Sequence, residues 1–134
     1  PTELEWEKAA RGTDGRWYPW GEHFDATFCR MARTEKGIPL PTRVGSYRSD
    51  CSPYGVFDMA GLVREYCDSA FDADNALRVV RGGSYLTAAD TSCRLTYRQA
   101  ALRDVPDLDH GFRLIRVLPD ETAKRARRLV RPKL

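Results

Sequence analysis

The sequence predicts an α+β fold with little regular secondary structure. Three observations carry that expectation: an N-terminal helix with both ends marked, three short strand-like segments in the second half, and a long stretch between them punctuated by prolines, glycines and aromatics. The 134 residues suit one ordinary domain, and 42% hydrophobic with 31% charged is a globular composition. No apolar run approaches the ~20 residues that a membrane-spanning helix needs.

The helix comes first, in PTELEWEKAARG. Thr2 and Glu5 stand in the Thr-x-x-Glu capping-box spacing, in which each side chain satisfies a backbone N–H that the first turn leaves free. Leu4, Trp6, Ala9 and Ala10 predict a narrow buried stripe, and Gly12 supplies the positive φ that ends a helix. Beyond it the regularity collapses. TDGRWYPWGEHF is rich in turns and rings, and residues 34–55 hold Pro39, Pro41, Pro53, Gly37, Gly45 and Gly55, so irregular backbone is itself the architecture there. Trp17, Tyr18 and Trp20 are expected to cover core surface. Strands are predicted at 78–81, around 94–99 and at 112–117, with a short basic helix or tail over 120–134. A chain with one early helix and so few strands is short of sheet, so something is expected to precede it in the full protein.

The whole-chain charge of +3 misleads, because residues 120–134 alone carry six basic residues against two acidic ones, and the 119 residues before them sum to −1. The basicity belongs to a tail, and a nucleic-acid-binding face is not expected. The cysteines Cys29, Cys51, Cys67 and Cys93 include no C-x-x-C pair, and His23 and His110 lie far apart, so no zinc site is expected and both histidines read as structural. Disulfides and reduced buried thiols are both open.

Four arginines, Arg81, Arg94, Arg98 and Arg113, sit in or beside strand-like segments and demand partners if buried; Asp58, Glu65 and Asp68 are the candidates for a structural network. In RVVRGGSYLTAADTSC, Gly82 and Gly83 permit a sharp turn or a close backbone approach.

PTELEWEKAARG, YPWG, VGSY, SPYGVFDMAGLVREYC, RVVRGGSY, CRLTYR and HGFRLIR, in that order along residues 1–117, resemble the formylglycine-generating enzyme (sulfatase-modifying factor) family. The resemblance implies a C-type-lectin-like α+β fold, with residues 1–119 as the C-terminal part of the family domain and the upstream part as partner. It also implies a calcium site from the carbonyls of Gly61 and Val63 with the Glu65 carboxylate, although Leu62 stands for the family's asparagine and Arg64 for its first tryptophan.

The family's copper chemistry needs two cysteines in the RGGSY loop, the first two residues after the loop tyrosine and the second five further on. Here Thr87 holds the first place after Tyr85, and Cys93 lies six residues beyond it. A hydroxyl is no soft ligand, so copper is not expected and Tyr85, Thr87 and Cys93 read as the remnant of a catalytic loop. The implied function is a non-catalytic binding or regulatory module of a larger bacterial signalling protein, like the domains appended to Ser/Thr kinases, with a protein or small-molecule ligand. The alternative is a copper- or iron-dependent oxidoreductase of the same superfamily, whose relatives include sulfoxide synthases and a pyoverdine-maturation enzyme. The compartment is left open between cytoplasm, slightly favoured, and periplasm.

Overall fold

The computed structural model describes residues 1–119; the basic segment 120–134, expected as a helix or tail, lies outside the described residues. Helix α1 runs Glu3–Arg11 with both halves of the capping box in place: Thr2 Oγ1 accepts from Glu5 N at 3.3 Å, and Glu5 Oε2 accepts from Thr2 N at 2.8 Å. Gly12 ends it at φ 70°, and its N–H returns to Lys8 O. Trp6 and Ala10 face inward, but Leu4, expected in the buried stripe, is 77% exposed.

Four strands form one sheet in the order β3–β2–β1–β4: β1 Arg64–Ala70, β2 Leu77–Arg81, β3 Arg98–Leu102 and β4 His110–Gly111. β2 pairs antiparallel with both β1 and β3, while β4 runs parallel to β1 through Arg64 opposite His110. Helix α1 lies against β1 and β2 and closes the first core cluster, in which Trp6 and Ala10 meet Met59, Cys67, Val79 and Leu95. Its N-terminus is stitched to β1, with Asp68 N donating to Pro1 O at 2.7 Å and Glu3 N to Ser69 Oγ at 3.0 Å. A second cluster of Tyr18, Cys29, Met31, Ala60 and Cys93, flanked by Trp20 and Phe24, fills the loop-built half.

Beyond Leu4, the sequence expectations need four corrections here. β1 was not anticipated, because its inward positions are Glu65 and Cys67, and a buried glutamate breaks the apolar alternation by which a strand is read. The strand expected around 94–99 starts only at Arg98; residues 90–93 form a 3₁₀ turn and Leu95 is pinned by its N–H to Trp17 O. The strand expected at 112–117 is absent: pairing ends at Gly111, and Phe112, Leu114 and Val117 are exposed with no neighbouring strand among the described residues. Trp17 is half-exposed, with the Arg94 guanidinium stacked 4.1 Å from its ring centroid.

Candidate functional site

The loop that leaves β2 is held by two glycines with different tasks. Gly82 sits at φ 77°, where a side chain is strained. Gly83 has no room: a Cβ there would lie 2.6 Å from Ala60 O and 2.8 Å from Cys93 Sγ. Gly61 is equally constrained from the other side, since its Cβ would meet Arg30 O at 2.5 Å. The Met59–Gly61 segment between them is gripped by Asp50, a residue that sequence reasoning passed over. Its buried carboxylate accepts from the N–H groups of Met59, Ala60 and Gly61, all at 3.0 Å, while burial pushes its pKa up to about 7 against the pull of those donors.

Beyond the glycines the loop turns into a polar centre. Ser84 Oγ donates to Asp109 Oδ2, which also takes Arg64 Nη1. Thr87 Oγ1 accepts from Ser84 N at 2.9 Å and Arg64 Nη2 at 3.3 Å. Because the Ser84 hydrogen is committed to Asp109, the Thr87 hydroxyl must donate in the 3.1 Å contact between the two hydroxyls. The order of donation is therefore Thr87 to Ser84 to Asp109, with Arg64 neutralising the carboxylate. Ser84 is wholly buried, so this chain of hydroxyls fixes the loop and presents no nucleophile to solvent. Tyr85 closes the same region, its N–H on Leu62 O and its hydroxyl on Leu108 O.

Cys93 ends the 3₁₀ turn Asp90–Cys93 with no exposed surface. The structure brings Cys29 against it, a pairing of residues 64 positions apart that no spacing rule suggested. The neighbouring Cys93 thiol and burial both push the Cys29 pKa far up, so Cys29 holds its proton, and the two sulfurs lie under an apolar lid of Tyr18, Met31 and Ala60. All four cysteines are free.

Glu65, the expected calcium carboxylate, is spent on protein donors. Its Oε2 accepts from Trp6 Nε1 at 2.7 Å and Arg113 Nε at 2.5 Å, and its Oε1 from Arg113 Nη2 at 2.5 Å. The Gly61 carbonyl already accepts from Val63 N at 3.1 Å. A fork of two N–H bonds from a guanidinium is an arginine site, and it does not fit a calcium ion. Leu62 retains φ 73°, a left-handed geometry that asparagine tolerates and leucine pays for at about 1 kcal/mol.

The arginine network exists with one expected pair, Arg113 on Glu65, and otherwise with partners that were not expected. Arg113 also reaches the carbonyls of Phe57 and Asp58, whereas the Asp58 carboxylate accepts from Gly45 N. Arg81 pairs with Glu7 at 2.5 Å and covers the Trp6 ring, Arg98 pairs with Glu3 at 3.0 Å, and Asp68 takes Arg78. The outward acidic residues of α1 thus supply two carboxylates, a role their i, i+4 spacing makes readable once the helix is laid on the sheet.

His110, read as isolated, is not. Its side chain lies between Asp107 and Asp109, 3.9 Å from the first and 4.0 Å from the second. His23 offers only its backbone carbonyl, to Trp20 Nε1.

A model of the sulfatase-modifying factor enzyme 1-like domain matches residues 1–118, so the chain belongs to that family. It is 35% identical over 127 residues to the inactive C-alpha-formylglycine-generating enzyme 2 of Bos taurus, covering 84% of this chain and 42% of that one. It is 34% identical over 139 residues to the formylglycine-generating enzyme of Streptomyces coelicolor (83% and 43%), and 31% identical over 132 residues to the serine/threonine-protein kinase pkn1 of Chlamydia caviae (84% and 20%). Among solved structures, CarF superposes with a TM-score of 0.74 at 23% identity over 89% of this chain and 46% of that one. PvdO from Pseudomonas aeruginosa gives 0.69 at 21% over 83% and 49%. These last two establish the formylglycine-generating-enzyme fold. The chain spans about two fifths of the length of the first two relatives and a fifth of the kinase.

Proposed function

We propose that this member of the sulfatase-modifying factor family is a non-catalytic binding or regulatory module of a larger bacterial signalling protein, and that residues 1–119 form the C-terminal part of its domain. The observation that carries the reading is Thr87. Where the family's copper chemistry calls for a thiolate, a hydroxyl stands, fully bonded to Ser84 and Arg64. A hydroxyl donor set does not fit Cu(I), which prefers soft sulfur ligands. The relatives lend support: one bears the name of an inactive enzyme, and another is a protein kinase of which the match covers 20%. The exposed Leu108, Phe112, Leu114 and Val117 offer apolar surface for an upstream segment or a protein partner.

One observation favours a second reading, an oxidoreductase of the same superfamily. The Cys29–Cys93 pair is a soft donor set, although Cys29 holds its proton and both sulfurs are sealed from a substrate. Titrating the parent protein with Cu(I), followed by incubation with oxygen and a cysteine peptide of sulfatase type, separates the two. The module reading expects no aldehyde and no stoichiometric Cu(I). One equivalent of Cu(I), lost in Cys93→Ser and accompanied by aldehyde formation, would overturn it in favour of the oxidase.

A further inference from the structure

The segment between β3 and β4 carries Asp107-Leu108-Asp109-His110, and its folding gathers the three polar side chains at one point. Each offers one ligand atom, and these atoms lie within 4.8 Å of one another. The imidazole is the informative member. Its side chain is only 7% exposed, yet neither Nδ1 nor Nε2 has a hydrogen-bond partner. A buried imidazole with both nitrogens idle is costly, because water has been stripped from two polar atoms and nothing has replaced it. Both nitrogens face carboxylates, Nδ1 towards Asp107 Oδ2 and Nε2 towards Asp109 Oδ1, at separations too long for hydrogen bonds.

We propose that Asp107, Asp109 and His110 form a binding site for a divalent first-row transition-metal ion. One imidazole nitrogen with two carboxylate oxygens is a donor set for zinc, manganese, iron or cobalt, whereas an all-oxygen shell would suit calcium or magnesium. The backbone prepares it. β4 pairs in parallel with β1, so His110 stands opposite Arg64 and its ring packs edge-on against Tyr66, with centroids 5.4 Å apart. Asp109 is 4% exposed and held through Oδ2 by Arg64 and Ser84, which leaves Oδ1 for the ion. Asp107 is the adjustable ligand: it is 58% exposed, and its other oxygen accepts from Leu108 N at 2.7 Å.

Ligand atoms that now lie within 4.8 Å of one another would settle roughly 3–3.5 Å apart around an ion with bonds of about 2.0–2.2 Å, so the exposed Asp107 carboxylate and the imidazole ring both turn inward, by roughly an ångström, to close the set. The second imidazole nitrogen then turns to water, one of the partners by which ligating histidines are oriented. Among the described residues the Arg64 guanidinium is the one cation paired with the set, and two carboxylates outweigh it by one negative charge. Asp107 and His110 also line a cavity of about 290 Å³ with Tyr66, Gln99, Leu102 and Val105, so a three-ligand ion keeps a coordination position facing space that water or a small donor can fill.

Cobalt(II) titration of the untagged full chain tests the site, because its visible bands report the geometry and a near-ultraviolet thiolate band would betray cysteine. The expectation is one equivalent bound without the thiolate band, and at least a ~10-fold weaker affinity in Asp107→Asn and His110→Gln. Melting temperature should rise with cobalt or zinc in the wild type and not in the variants. Asp107→Asn alters an exposed side chain, so its metal-free stability should match the wild type even if His110→Gln folds poorly. No stoichiometric binding, binding unaltered by Asp107→Asn, or a thiolate band abolished by Cys93→Ser would each overturn the proposal.

Discussion

At its glycine end the loop that follows β2 is built from oxygen and nitrogen, and at its far end from sulfur. Ser84, Thr87, Asp109 and Arg64 make a charge-neutral polar centre beside the β1–β4 edge. Only six residues beyond Thr87, Cys93 lies with Cys29 in an apolar cluster sealed by Tyr18, Met31 and Ala60. The family's copper chemistry would need one soft site reachable from both ends of this loop. Here the two ends differ, a hard, ordered centre buried at the sheet edge and a soft, closed one in the core. The hydroxyl of Thr87 therefore does more than withhold a soft ligand: it joins a network that gives the loop a structural reason to stay where it is.

The polar end should be the more fragile. Asp109→Ala removes the only carboxylate on Arg64 among the described ion pairs and leaves the Ser84 hydroxyl without its acceptor. Breaking a buried pair on one side costs about 3–5 kcal/mol. Urea unfolding of the variant measures it, and a loss below ~1 kcal/mol would show that the polar centre does not hold the loop.

Gly83→Ala comes next, because it strikes both ends at once. Its Cβ would press on Ala60 O and on Cys93 Sγ, and only the sulfur can shift cheaply. Overpacking of this kind costs about 1–3 kcal/mol. A Gly83→Ala, Cys93→Ala double variant that recovers part of the loss would locate the clash at sulfur, whereas no recovery would locate it at the backbone.

How much of this could be read from the chain follows the same division. The ends of the helix were legible, because Thr2, Glu5 and Gly12 act locally, and the double glycine was legible because β2 and its turn are contiguous. The family frame and the fold followed from seven ordered segments. β1 was not legible, since Glu65 and Cys67 occupy its inner face and the arginine that justifies the glutamate is 48 residues away. The partners of Arg81 and Arg98 were missed for a related reason: Glu7 and Glu3 read as solvent-facing helix residues until the sheet lies beside them. The Cys29–Cys93 contact and the exposure of both His110 nitrogens to carboxylates are products of loop closure. Asp107-x-Asp109-His110 was the one local pattern that could have pointed to the latter.

Thr87→Val sharpens the comparison by removing a hydroxyl while keeping its shape. It strips an acceptor from Ser84 N and Arg64 Nη2 and a donor from Ser84 Oγ. A buried group left unpaired costs about 1–3 kcal/mol, and Arg64 keeps Asp109, so the lower half of that range is expected. Denaturation midpoints should fall accordingly with an unchanged slope; a neutral substitution would mean that the Ser84–Asp109 bond alone fixes the loop.

The smallest effect in stability is the most direct test of the sealed end. Thiolates are what alkylating reagents attack, and burial pushes the Cys67 pKa to about 11 while the Cys93 contact and burial drive Cys29 higher still. In the folded chain at pH 8, both stay protonated and covered, and Cys93 has no accessible surface, whereas Cys51 is half-buried. Cys51 should react first because it is the more accessible thiol, and raising the pH should bring on Cys67 late and leave Cys29 slowest. Mass spectrometry after brief iodoacetamide exposure should therefore find one modified thiol in the native protein and four in denaturant. Early labelling of Cys93 would mean that the sulfur end opens to solvent, and it would restore to that end the access that an oxidase requires.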